Sequence, residues 1–304
     1  MSGPWFPYPR AGMVRWYAPL QLAQTGLRVA FSRLLGGEFD RRRIDPRTAE
    51  TYAHFDLSVR TDASGTAVVR DEIVFDYIAD TGDGWNSTYA IAYAATRASL
   101  DVRDPAGVSH TLRRGELLIF GGDEVYPTPT RAGYEQRLVM PYHTAMAWTE
   151  ADHPVLFAIP GNHDWYDNLA AFSRLFTEKT WFCGWRLGQR RSYFALRLPH
   201  DWWIIGTDTQ LGADIDATQV AYFSGIAAQM GPAAKVILCT AEPHWVFEHE
   251  ADADARARMR RDSNLVFLAE TIFKGRVRLN LSGDYHHYRR HSSPDDRDHK
   301  ITAG

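Results

Sequence analysis

The chain has 304 residues, 45% of them hydrophobic and 23% charged, and a formal net charge of −3. That length makes one large domain or two small ones. The composition is ordinary for a soluble globular protein, and the charge argues against a nucleic-acid binder driven by bulk electrostatics. The two cysteines, Cys183 and Cys239, cannot build a disulfide framework; they point to a reducing, cytoplasmic setting with both thiols buried or inert.

The first apolar stretch, "MVRWYAPLQLAQTGLRVAF", is interrupted by Arg15, Gln21, Gln24 and Arg28. It falls short of the ~20 apolar residues that a membrane-crossing helix needs. It also lacks the unbroken apolar core and cleavage site of a signal peptide. From Pro19 the pattern predicts an amphipathic helix, with Leu20, Ala23, Leu27, Ala30, Phe31 and Leu34 on one stripe and Gly36-Gly37 as its stop. Packing of this stripe on the domain is the first expectation. Peripheral membrane contact, suggested by Arg28, Arg33 and the "RRR" at 41 to 43, is the second. The stripe carries no metal-ligand residue types. Residues 1–70 are assigned to an N-terminal helical extension, and residues 1–36 are expected to serve solubility or stability rather than chemistry.

From residue 71 short apolar runs alternate with segments of helical length. The runs are "IVFDYIA" (73–79), "LLIF" (117–120), "VLFAI" (155–159), "WWIIG" (202–206), "KVILCT" (235–240) and "RVRLNL" (276–281), the last expected to be a buried strand. Between them lie "NSTYAIAYAATRAS", "YEQRLVMPYHTAMAW", "NLAAFSRLF", "ATQVAYFSGIAAQM" and "SNLVFLAETIF". Strands alternating with helices define an α/β fold. "RSYFALRL" followed by "WWIIG" reads as a hairpin, so the sheet is expected to be mixed. Residues 71–304 form the second domain. "HKITAG" reads as a strand just begun, which suggests truncation at the C-terminus.

Each predicted strand is followed by polar residues: "DTGDGW", "GGDEVY", "PGNHDWYDN", "AEPHW" and "SGDYHHY". In α/β sheets, sites form outside the carboxyl ends of the strands. The groups gathered this way are Asp80, Asp83, Asp123, Asn162, His163, Asp164, His244, Asp284 and His286. An oxygen-rich set with some imidazole suits Mn, Fe, Zn or Mg. There are too many donors for one ion. A carboxylate bridging two ions about 3.5–4 Å apart is the usual arrangement for phosphate-ester hydrolysis.

The order "DTG", "GGDEVY", "GNHD", a lone histidine and "GDYHHY" resembles the calcineurin-like metallophosphoesterases. "GDEVY" is similar to the GDxxY variant of the purple acid phosphatases, and "GDYHHYRR" to their GHxHxYxR motif with the first histidine replaced by Asp284. The resemblance covers residues 73 to 290. It implies a four-layer α/β/β/α sandwich with mixed sheets and a dinuclear centre of two divalent or trivalent ions. Asp80, Tyr126 and His286 would hold the first ion, with Gly82 where the family has a DxH histidine. Asp123 would bridge. Asn162, His244 and Asp284 would complete the second ion, with Glu242 as the alternative to His244, whose surroundings depart from the family's spacing. His163 would contact the phosphoryl group and protonate the leaving oxygen, oriented by Asp164.

The implied reaction is hydrolysis of a small-molecule phosphate ester by a metal-bound hydroxide, with no nucleic-acid partner. The alternatives are a pyrophosphatase acting on a nucleotide- or lipid-linked substrate, and a degenerate phosphate-binding module without catalysis. A phenolate ligand at Tyr126 would favour iron at the first ion. Asp284 in place of an imidazole would favour Mn or Mg over Zn at the second. Asp83 reads as a turn carboxylate, and His287 as second in line or solvent-facing. "WFCGW" and "WWIIG" read as core, and Trp165, Tyr166 and Trp245 are candidates for the pocket lining.

Overall fold

The computed structural model describes residues 9–19, 22–23, 25–27, 30, 53–62, 64–150, 153–209, 211 and 214–304. Two sheets carry the fold, and their strands are numbered here in chain order: β1 Phe55–Asp56, β2 Phe75–Ile78, β3 Leu117–Phe120, β4 Val155–Ala158, β5 Trp181–Phe182, β6 Trp185–Leu187, β7 Phe194–Arg197, β8 Trp202–Gly206, β9 Lys235–Thr240, β10 Val277–Ser282, β11 Arg289–Ser292 and β12 His299–Thr302. The seven-stranded sheet runs β1-β7-β8-β9-β10-β12-β11, and the five-stranded sheet β2-β3-β4-β6-β5. Pairing is parallel except for β7 with β8, β11 with β12 and β5 with β6. The expected hairpin is therefore the β7–β8 pair, and both sheets are mixed.

The sheets lie face to face, and side-chain alternation accounts for the layers. In β3, Leu117 and Ile119 enter the core between the sheets, while Leu118 and Phe120 enter the core under the helices of that half. In β9, Ile237 and Cys239 face the other sheet, while Val236 and Leu238 face the helices Ala217–Ala227 and Asn264–Phe267. Adjacent residues of a strand point to opposite faces. Strands covered on both faces therefore read as unbroken apolar runs. The outer helix of the first half, Trp85–Thr96, packs on Met140–Ala145. The result is an α/β/β/α sandwich.

The predicted strands fall within two residues of their observed bounds. One expectation changes: only Leu281 and Ser282 of β10 are buried, while Val277 to Asn280 are partly exposed and Arg278 pairs with Asp298 in a half-exposed ion pair. "HKIT" forms β12, inserted between β10 and β11. The segment before residue 71 is also joined to the sandwich, since β1 pairs in parallel with β7. The described residues within 19–30 are helical, and Ala23, Leu27 and Ala30 of the expected stripe are exposed; Leu20, Arg28, Phe31, Arg33, Leu34 and the arginines at 41 to 43 lie outside the described residues. No helix among the described residues is long and apolar enough to cross a membrane.

Phe157 ties the two sheets together. It is 1% exposed, with ring centroids 4.8 Å from Phe55 and 5.0 Å from Phe194. Truncating such a side chain typically costs about 3–5 kcal/mol. Phe157→Ala should lower the urea midpoint correspondingly, with little change in denaturant sensitivity; a loss below about 1 kcal/mol would show that the sheets are not held through this ring.

Candidate functional site

The loops after β2, β3, β4, β9 and β10 meet at one edge of the sandwich. Asp80 follows β2, and its backbone N–H donates to Gly122 O at 3.0 Å. Tyr126, in the loop after β3, places its hydroxyl 3.1 Å from Asp80 Oδ1, 3.1 Å from Asp123 Oδ2 and 3.1 Å from His286 Nε2. The Asp284 backbone N–H donates to Asp80 Oδ2 at 2.8 Å, and the His163 N–H to Asp123 Oδ1 at 2.9 Å. Four segments far apart in sequence are thus tied at two carboxylates.

The backbone is bent hard to achieve this. Asp80, Asp123, Asp284 and His286 have φ of 52°, 54°, 70° and 50°. A non-glycine residue in the left-handed region is uncommon, although aspartate tolerates it better than most. Such residues persist where the surrounding contacts over-determine them. Two glycines give the carboxylates their room. A Cβ on Gly161 would run into the Asp123 side chain, and one on Gly283 would lie 2.6 Å from Asp80 Oδ2. Gly82, with φ of 78° and its missing Cβ aimed at the Glu124 carbonyl, leaves no space for the histidine that the family motif has there.

Burial and mutual repulsion dominate the electrostatics. Burial raises the Asp80 pKa to about 6, against the opposing pull of His286 and of its hydrogen bonds. Burial, then the charges of Asp164 and Asp80, push Asp123 well above the carboxylate range. Burial likewise raises Asp284. Burial and neighbouring carboxylates raise Tyr126.

Of the remaining sequence candidates, Asn162 immediately precedes the N–H bonded to Asp123, and its Oδ1 is buried with no hydrogen-bond partner. His163 stands with its ring centroid 4.6 Å from that of Tyr126. Its Nδ1 lies 2.9 Å from Pro127 O, and burial lowers its pKa. Asp164, expected to orient this ring, acts on it through its charge, which opposes that lowering. Asp164 is fully buried, and its oxygens accept from Gly161 N at 2.9 Å, Glu124 N at 3.4 Å and the Tyr134 hydroxyl. It pins the loop, while the Pro127 carbonyl aims the imidazole.

His244 and Glu242 separate. Burial first, then the Asp284 charge, raises Glu242. His244 is lowered to about 4 by burial and by Lys300, opposed by Glu248, and its Nδ1 is buried without a partner. Both border a cavity of about 470 Å³ shared with Phe247, Glu248 and Leu265. Asp284 thus acts on Glu242, whereas the charges acting on His244 are those of Lys300 and Glu248. Asp83 accepts the Ser87 hydroxyl at 2.8 Å, as a turn carboxylate does. Trp165 and Trp245 are buried, and Trp165 donates to Asp208 Oδ1 at 2.8 Å; Tyr166 instead lies 4.8 Å from the His163 ring.

Sequence reasoning missed three participants. Glu124 is fully buried and raised well above its ordinary value by burial and the Asp164 charge. The Pro127 carbonyl is backbone and has no sequence signature. Trp16, from the N-terminal segment, stands 5.2 Å from Tyr126 and 6.0 Å from His163 between ring centroids.

Among the described residues, no three His, Cys, Asp or Glu side chains stand ready in coordination geometry for a metal ion. The donor chemistry nevertheless suits a cation. Buried carboxylates held above their ordinary pKa gain from a nearby positive charge, and the orphaned Asn162 oxygen is an acceptor without a donor.

No family model matches the chain, and no curated protein matches it. It is similar in structure to GAP50, described as the anchor in the inner membrane complex of Plasmodium, at 13% identity over 76% of this chain and 70% of that one, with a TM-score of 0.46. It is also similar to a dimetal phosphatase from Danio rerio, at 10% identity over 76% of this chain and 87% of that one, with a TM-score of 0.41.

The raised carboxyl groups set a sign for stability. In the cation-free protein the folded chain holds protons that the unfolded chain has released. Stability is then full below the ordinary carboxylate range and declines as pH rises, through about 6 for Asp80, with the raised Asp123 and Glu124 adding in the same direction. With a chelator present, the melting temperature should fall from about pH 5 to about pH 8, and added Mn²⁺ should raise it most at the alkaline end. A profile flat in chelator and unmoved by Mn²⁺ would contradict this electrostatic reading.

Proposed function

We propose that this chain hydrolyses a phosphate ester with metal ions held at the strand-end cluster. One observation carries the reading: Asp80, Asp123 and His286 converge on the Tyr126 hydroxyl at 3.1 Å each. Asp80, Tyr126, Asp123 and His286 would hold a first ion. Asp123, Asn162 and Asp284 would hold a second, with Glu242 or His244 as the further donor. When bound, such ions supply Lewis acidity toward the phosphoryl oxygens and acidify water. A phenolate at Tyr126 would favour iron at the first position. The carboxylate Asp284, with Glu242 in its electrostatic reach, would favour Mn or Mg at the second.

The chain's own residues do the rest. The Pro127 carbonyl only accepts, so His163 carries its hydrogen on Nδ1 and directs Nε2 elsewhere. Burial lowers the pKa of this imidazole. Once protonated on Nε2 it is a stronger acid than an exposed histidine, suited to giving that proton to a leaving oxygen. Asp164 fixes the 161–164 loop, so that Asn162 and His163 keep their places relative to Asp123.

Asp123→Asn replaces the shared anion with a neutral amide of the same shape. It should remove bound metal and turnover of an aryl phosphate together, as read by elemental analysis and a rate assay. Retention of two ions per chain with near-normal turnover would exclude the bridging role.

His163→Ala should leave metal content intact and slow turnover by about 10²–10⁴-fold for esters with poor leaving groups. The deficit should shrink for nitrophenyl esters, which leave without a proton. An equal deficit across the leaving-group series would remove His163 from proton donation.

A further inference from the structure

The segment before the first strand is seated beside the candidate site. Trp85 N–H donates to Ala11 O at 3.0 Å, Val14 N–H to Asp83 O at 2.8 Å, and Arg137 Nη1 to Gly12 O at 3.0 Å. The Arg10 guanidinium lies 4.1 Å above the Trp85 ring, and Val14 is buried. Residues 10–14 are therefore seated on the loop that follows Asp80, and they deliver Trp16. Its indole meets Tyr126 edge-on at 5.2 Å and 68°, and His163 at 6.0 Å and 85°. Trp16 as a residue is 36% exposed, so it is not sealed into the core.

We infer that Trp16 is a specificity-determining wall for the leaving group, favouring phosphoesters whose leaving group is a flat aromatic or heteroaromatic ring. This rests on the phosphoester reading of the site. An indole has no charge to offer a phosphate and donates a single hydrogen bond. What it offers is a flat apolar surface on which another ring stacks. It stands next to the one imidazole assigned to the leaving oxygen, and Tyr166, 4.8 Å from the same imidazole, extends the aromatic frame. A short alkyl leaving group would leave this surface wet.

The test measures binding by calorimetry in Mn²⁺, with phenylphosphonate and methylphosphonate as non-hydrolysable probes, for the full chain and for Trp16→Phe, Trp16→Leu and Trp16→Ala. The full chain should prefer the phenyl probe. That preference should drop by about three- to tenfold in the Leu and Ala variants and persist in Phe. Trp16→Leu keeps apolar cover without a flat ring, so it separates stacking from simple plugging and guards against a destabilised Ala variant. No phenyl preference in the full chain, or an unchanged preference in Trp16→Leu, overturns the inference. A full chain that shows the preference but hydrolyses neither phenyl nor alkyl phosphate removes the hydrolytic reading and leaves the aromatic wall standing.

Discussion

Two buried carboxylates must sit close together at the edge of this sandwich, and nearly everything around them serves that constraint. Asp80 and Asp123 repel each other when ionised and lose hydration when buried. One phenol hydroxyl and two backbone N–H groups hold them. Tyr126 has one hydrogen to share among two carboxylates and an imidazole, so the set is under-supplied with donors. Such a cluster is affordable only on a rigid base. The dry core between the sheets provides it, with Ile119, Phe157, Phe194 and Ile237 packed behind the strand ends.

The strained conformations follow from the same constraint. A side chain leaving a strand in extended geometry points up or down, not across the edge. The left-handed turns at Asp80, Asp123, Asp284 and His286 redirect donors from neighbouring strands toward one point. Gly161 and Gly283 then matter for what they lack, since a methyl group at either would displace one of the two carboxylates.

Much of this architecture was legible in the sequence, for a physical reason. Burial on both faces turns β3, β4, β8 and β9 into unbroken apolar runs, and the polar residues after each run mark the sheet edge. Asp80, Asp123, Tyr126 and His286 could be gathered that way, as could Asn162 and Asp284. Contacts made by backbone could not: any residue has a carbonyl, so "YP" at 126–127 gave no hint that Pro127 aims His163. Glu124 was equally opaque, because a carboxylate between Asp123 and Val125 reads as a loop residue until Asp164, forty positions away, is placed beside it. The nearness of Trp16 to the site was equally hard to read. The helical stripe after Pro19 drew the eye, whereas Trp16 lies just ahead of it in irregular chain that has no periodicity to read.

That irregular chain is bound to the site by shared parts rather than by mere adjacency. Arg137 reaches from the Glu135–Val139 turn to the carbonyls of Gly12 and Asp83 at once. The Asp83 carbonyl also accepts from Val14, and Ser87 holds the Asp83 side chain. The loop that begins at Asp80 is therefore the platform for residues 10–14, and those residues cover one side of that loop in return. A shift of the platform would move Asp80 and Trp16 together. The aromatic cover over His163 is in this sense part of the geometry that holds Asp80, although it comes from a stretch of sequence that the metallophosphoesterase resemblance does not reach.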